Sequence, residues 1–191
     1  GFRSPTLREL FMWGTANPDL MPEHLVNWEA GIMQRLVKNK LSLEMTFFRA
    51  SGSNLIQATS EGGVTRYRNT GSFTNLGLEF AGVYDVLENL SFRTTYTYIH
   101  MQDPLLATPE HMLNLNGTYR WKKITASLAV QSIQNLYLVI SSGKKESYTL
   151  LNARLAYRFN RYFDVFIKGE NLTDARYSIN DGYPMPGLLV F

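Results

Sequence analysis

Three histidines, His24, His100 and His111, are the first candidates for chemistry in this chain, because imidazole ligates metals and exchanges protons near neutral pH. None stands in an HExxH or His-x-His spacing, so the sequence indicates no metal cage. Thr97 and Tyr98 beside His100 do not make the nucleophile, base and orienting carboxylate of a hydrolase. Cysteine is absent, which removes thiolate ligands, cysteine nucleophiles and disulfide frameworks. Glu61-Gly62-Gly63 reads as a turn rather than a phosphate loop. No catalytic residue, metal or cofactor is expected, and the chain is not read as an enzyme. The chemistry that remains is charge. Glu29, Arg35, Glu44, Glu79, Arg93, Arg120, Arg154 and Lys168 are spread along stretches where apolar and polar residues alternate, and the net charge is only +3. With no basic run, nucleic-acid binding has no support.

Alternation with a period of two means strands, so the charges must be positioned by a sheet. In Leu41 to Phe48, Leu41, Leu43, Met45 and Phe47 fall on one face and Ser42, Glu44 and Thr46 on the other. The same split recurs. Leu78, Phe80, Tyr84 and Val86 oppose Glu79 and Asp85; Leu90, Phe92, Tyr96 and Tyr98 oppose Arg93 and three hydroxyl residues. Leu113, Leu115, Tyr119 and Trp121 oppose Asn114, Asn116 and Arg120; Leu151, Leu155, Tyr157 and Phe159 oppose Asn152, Arg154 and Arg158. Short turns at Lys38-Asn39-Lys40, Leu87-Glu88-Asn89, Lys122-Lys123 and Asn160-Arg161 alternate with longer connections at 50–72, 100–111, 135–147 and 173–187. The first of these long connections has room for a short hairpin at Gly62-Gly63.

This rhythm predicts an all-β, antiparallel, up-and-down transmembrane barrel wall of about nine or ten strands, with the apolar face toward lipid and the charged face lining a lumen. A soluble sheet packed on one face explains each strand equally well, but not the loop rhythm or the rings beside the short turns. No stretch reaches the roughly 18 apolar residues of a membrane helix. Residues 1–27, with Pro5, Pro18 and Pro22, read as an extracellular loop segment, and residues 28–191 as the strands. Gly1-Phe2-Arg3-Ser4-Pro5 is no signal peptide, so a processed piece, a truncated gene or a cloning remnant at Gly1 is expected.

Several ordered stretches resemble one family. They are Gly1 to Leu10 (GFRSPTLREL), Asn17-Pro18-Asp19-Leu20 with Pro22-Glu23, Trp28-Glu29-Ala30-Gly31, Asn54-Leu55-Ile56, Tyr67-Arg68-Asn69-Thr70-Gly71 and Gly77-Leu78-Glu79. Tyr96-Thr97-Tyr98, Pro109-Glu110-His111, Asn171-Leu172-Thr173-Asp174 with Tyr177, and Gly182 to Gly187 (GYPMPG) follow. In order and spacing the chain resembles the C-terminal barrel half of the TonB-dependent outer-membrane receptors.

That resemblance implies a bacterial outer-membrane location, a parent barrel of about 22 strands, and uptake of a scarce nutrient such as a ferric siderophore, haem or cobalamin. It implies as partners the outer-membrane lipid, the nutrient ligand, an N-terminal plug domain and the TonB protein, the last two acting through parts that this sequence does not contain. The charged wall listed above would face the plug, although each member reads equally well as an ordinary solvated lumen residue. Trp13, Arg66, Tyr67, Tyr137 and Tyr177 are candidate ligand contacts in outer loops, or rings packed on their neighbours. Only Leu188 to Phe191 follow Gly187, where the family continues into a full last strand, so closure is expected to come from a larger wall or a second copy. The competing reading is a truncated, transport-incompetent β-sheet or small barrel serving as an interaction or structural module.

Overall fold

The computed structural model describes residues 1–61 and 63–191; the expected turn at Gly62-Gly63 therefore lies partly outside the described residues, at Gly62. The element order is β1 (Phe2–Arg3), α1 (Leu7–Phe11), β2 (Glu23–Leu36), β3 (Leu41–Glu61), β4 (Val64–Leu87), β5 (Leu90–Met101), β6 (His111–Trp121), β7 (Ile124–Val139), β8 (Lys144–Arg158), β9 (Asp164–Glu170), β10 (Ser178–Asn180), β11 (Tyr183–Pro184) and β12 (Leu189–Val190). Ten strands form one sheet in the order β1-β2-β3-β4-β5-β6-β7-β8-β9-β12, and β10 pairs with β11 separately. The order is linear, with β1 and β12 at its ends. Among the described residues no helix is long and apolar enough to cross a membrane, which leaves crossing by strands untouched.

The chain divides into two compact units. The first comprises Gly1–Glu29, Phe48–Leu76 and Met101–Asp103; the second comprises Ala30–Phe47, Gly77–His100 and Pro104–Phe191. In the first unit, Thr6 caps α1 reciprocally with Glu9, so two donors at the helix start are satisfied. Arg3 brings β1 onto β2 by a two-pronged ion pair with Glu23, at 2.6 and 2.7 Å, while its third nitrogen reaches Glu9. Glu23 also accepts the Ile56 N–H at 2.9 Å, which ties β3 to the same carboxylate. Asn69 bonds both the N–H and the C=O of Met21, each at 2.8 Å, holding the chain that leads into β2.

The second unit shows how register sorts side chains. Residues opposite one another in a ladder share a face, and the ladders from β5 to β9 give continuous rows. Leu90, Tyr119, Ala126, Leu155 and Ile167 make one row; Phe92, Gly117, Leu128, Ala153 and Gly169 the next; Thr94, Leu115, Val130 and Leu151 a third. None of these rows carries a charge. The intervening rows hold Arg93, Asn116, Ala129 and Asn152, then Ser91, Thr118, Ser127, Arg154 and Lys168, then Arg120, Thr125, Ala156 and Phe166.

The short turns are stitched together at one end by backbone bonds: Asp85 N–H to Lys40 C=O, Arg120 N–H to Asn89 C=O and Arg158 N–H to Lys123 C=O, each at 2.8 Å. At that end Tyr157 and Phe159 meet edge to face at 4.8 Å, and Lys122 lies over the Trp121 ring. At the other end of the apolar face His111 stacks on Tyr98 at 4.9 Å and bonds the Tyr96 hydroxyl at 2.8 Å. From Trp121 to His111 the strand rises about 34 Å, or about 25 Å along the normal at a tilt near 40°, the height of a lipid-facing band between two aromatic girdles.

Three expectations are corrected. Residues 50–72 are not a loop: β3 runs on to Glu61 and β4 begins at Val64, so Arg66 and Tyr67 lie on a strand. The connection expected at 135–147 shrinks to 140–143, and Tyr137 lies on β7. Strand structure also begins earlier than Trp28, at Glu23, and the segment before it contains β1 and α1. In each case strands continue beyond the lipid-facing rows, where nothing forces strict alternation and the sequence pattern lapses.

Leu43 packs with Leu41, Gly82, Phe92 and Leu115 around one apolar hollow, whereas Glu44 joins Thr46, Glu79, Thr95 and Thr97 around a polar one. Leu43→Arg is expected to cost about 2 to 4 kcal/mol of folding stability in lipid, and Glu44→Gln to stay within about 0.5 kcal/mol. Urea unfolding in lipid vesicles checks both; equal losses would contradict the assignment of faces.

Candidate functional site

A β-bulge shapes the end of the second unit opposite the short turns. The register of β7 on β8 slips between Ile133 and Leu136, where Asn135 takes φ 56°, a left-handed conformation that asparagine tolerates better than most residues. The slip brings Leu136 onto the face that Ile133 occupies. Ile133, Leu136 and Leu138 are buried, and Met112, Tyr148 and Ile179 of β10 pack against them. An apolar patch thus interrupts the polar face, covered by part of the last long connection.

That bulged Asn135 donates to Glu110 at 2.8 Å, and Lys145 reaches the same carboxylate at 2.6 Å. The Tyr137 hydroxyl donates to Glu110 at 3.4 Å, with the Lys145 ammonium 4.3 Å from the Tyr137 ring centroid. Backbone bonds from Ala107 N–H to Tyr137 C=O and from Glu110 N–H to Gln134 C=O lay the β5–β6 connection along β7. The Lys145 ammonium, then Asn135 and Tyr137, hold the Glu110 carboxyl below its usual range against the opposing effect of burial. In the last connection the Tyr177 ring packs against Tyr148 with centroids 4.1 Å apart and planes tilted by 30°, and Asp181 pairs with Lys144 at 2.6 Å. Asn171, 4 % exposed, bonds Ala175 through both its N–H and its C=O. Asp174 accepts the Leu188 N–H, setting the path into β12.

The candidate ligand contacts therefore divide. Tyr137 and Tyr177 are occupied in holding connections in place. Trp13 is 72 % exposed and Arg66 is exposed on β4, so both present their side chains to solvent. Tyr67 is half-buried; its N–H donates to Thr15 and its C=O accepts from Asn17.

Of the charged candidates, Glu44, Glu79, Arg93, Arg120, Arg154 and Lys168 share the polar face of the second unit. Arg35 joins them by alternation from Gly31, whose Cβ position abuts Thr46. Glu29 is exposed and accepts a hydrogen bond from Asn27. Lys168 pairs with Glu170, and the Arg154 guanidinium lies 4.5 Å from the Phe166 ring centroid. Phe166 is the residue that face assignment from sequence missed, because β9 does not alternate. No group of three or more His, Asp or Glu suited to a metal occurs among the described residues.

The family described as TonB dependent receptor-like, β-barrel, matches residues 1–172. This chain belongs to that family. TonB-dependent receptors are receptors and transporters of the bacterial outer membrane, and the sheet is a section of such a wall. The iron-regulated outer membrane virulence protein of Vibrio cholerae serotype O1 is 29% identical over 150 residues, covering 63% of this chain and 23% of that protein. Among solved structures, the copper transporter OprC superposes with a TM-score of 0.77 at 16% identity, over 98% of this chain and 34% of its own. The ferric-catecholate import receptor Fiu from Escherichia coli K12 does so with a TM-score of 0.72 at 22% identity, over 93% and 28%. These likenesses to solved structures show the shared fold. The chain spans about a quarter of the length of the curated relative it matches.

Because Glu110 carries a depressed carboxyl, its stabilisation of the β5–β6 connection is complete above the ordinary carboxylate pKa of about 4.3 and fades as pH falls through its lower folded value. Amide exchange of residues 104–110, corrected for intrinsic rate, should therefore speed up in acid in the native sequence. In Glu110→Gln it should be fast at every pH.

Proposed function

We propose that this chain is the C-terminal barrel portion of a TonB-dependent receptor that takes up an iron chelate of the siderophore type. The observation that carries this reading is the match to an iron-regulated relative across 150 residues, which goes beyond shared fold. Fiu, a ferric-catecholate import receptor, and PfeA, solved in complex with enterobactin, superpose at lower identity and agree with it. On this reading residues 1–27 lie outside the cell, the polar face lines the lumen, and a plug domain and TonB are the working partners.

The division of the aromatic candidates sharpens the proposal. A residue spent on an internal stack or hydrogen bond gains little by meeting a ligand, whereas an exposed ring or guanidinium has contacts to gain. Trp13 and Arg66 are accordingly assigned to ligand capture, and Tyr137 and Tyr177 to holding the connections in which they sit.

Cells that rely on this receptor under iron limitation should take up radiolabelled ferric siderophore, and cells deleted for it should not. Trp13→Ala should weaken binding by about 2 kcal/mol, roughly thirtyfold, without lowering the amount of receptor. Uptake of iron chelates unaffected by the deletion would refute the assignment.

A further inference from the structure

Lys144 and Lys145 are consecutive on β8, so the pleat sends them to opposite faces. Each ties down a different connection. Lys145 reaches Glu110 of the β5–β6 connection at 2.6 Å, whereas Lys144 reaches Asp181 of the last connection, also at 2.6 Å. The ladder repeats this division on β7: Tyr137 stands opposite Lys145, and Leu136 stands opposite Glu146, on the face of Lys144 and Tyr148. One face of the strand pair therefore holds the β5–β6 connection through Glu110. The other holds the last connection, where Tyr148 meets Tyr177 and the Leu136 patch meets Ile179.

Asn135 stands where the two holds join. Its side chain donates to Glu110 at 2.8 Å and its N–H to the Ser147 hydroxyl at 3.0 Å, and these bonds secure a φ of 56° that costs a non-glycine residue free energy. That conformation is the register slip itself. With the slip, Leu136 joins Ile133 in the buried patch under Ile179; without it, strict alternation would turn Leu136 to the face of Glu110. Two discrete registers of β7 are thus set against each other at this point. The observed one is secured by a carboxylate from one connection and covered by a side chain from the other.

We propose that the bulge at Asn135 is a two-position switch linking the two connections. When Glu110 leaves Asn135, β7 relaxes to strict alternation, Leu136 withdraws from the patch, and the last connection is released together with the β5–β6 connection. The link is reciprocal, so lifting the last connection off Leu136 loosens the hold on Glu110. It uses contacts made within the second unit and does not depend on which nutrient the receptor carries.

Native-state amide exchange of the detergent-purified protein, resolved by mass spectrometry, tests this. Glu110→Gln should speed exchange of residues 177–185, on the far face, by about threefold or more, and leave residues 113–119 of the wall unchanged. Ile179→Ala should in turn speed exchange of residues 104–110 by a similar factor. Asn135→Gly keeps the left-handed turn without needing Glu110, so residues 177–185 should stay as protected as in the native sequence, with or without Glu110→Gln. Loosening confined to the connection that carries the substitution would overturn the proposal, as would faster exchange of residues 113–119 alongside both connections. A response of residues 177–185 to Glu110→Gln that persists in Asn135→Gly would overturn the bulge as the switch.

Discussion

Backbone hydrogen bonding in the absence of water is the constraint on which this molecule rests. A strand in hydrocarbon has no solvent to satisfy its N–H and C=O groups, so each must find a partner on a neighbouring strand. Once two strands are paired, their register also decides which side chains share a face. The row of Phe92, Gly117, Leu128, Ala153 and Gly169 shows how large and small residues then alternate across strands; a Cβ at Gly117 would come within 3.1 Å of the Phe92 ring. The charged rows follow by default, because the side chains between two lipid-facing rows can only point the other way.

Polar interactions take over where this constraint ends. In the first unit β1, β2 and β3 are held by the Arg3 and Glu23 ion pair and by the Asn69 side chain, interactions that would be wasteful where lipid did the sorting. In the second unit Glu110 does the corresponding work for the β5–β6 connection. Those groups are only partly shielded, with 26% of the Glu110 side chain exposed, so their net contributions are modest and condition-dependent.

This difference also explains what the sequence disclosed. The faces of β5, β6 and β8 were legible because lipid on one side leaves a clean period of two, as in Leu113, Leu115, Tyr119 and Trp121. The turns at Lys38 and at Lys122 were legible from their polar residues. The extension of β3 through Gly52 and Asn54, and of β4 through Thr70 and Gly71, was not, since strands held by backbone and amide bonds need no alternation. Tyr137 reads as a loop residue in the sequence because two register slips break the pattern of β7 around it. Of the candidate site, the charge on the polar face was legible residue by residue, but the rows that set Arg154 beside Lys168 and Arg120 in line with Phe166 depend on register between strands distant in sequence.

The bulge at Asn135 acts as a coupling that slips. Below it, adding or deleting one residue would invert every later side chain of β7 between the two faces. Above it, the ladder has already absorbed one offset at Asn135 and absorbs a second between Tyr137 and Val139. Length changes in the β7–β8 connection are thereby insulated from the wall. The end of this strand pair away from the short turns can vary in size over evolutionary time while the wall beneath keeps its frame.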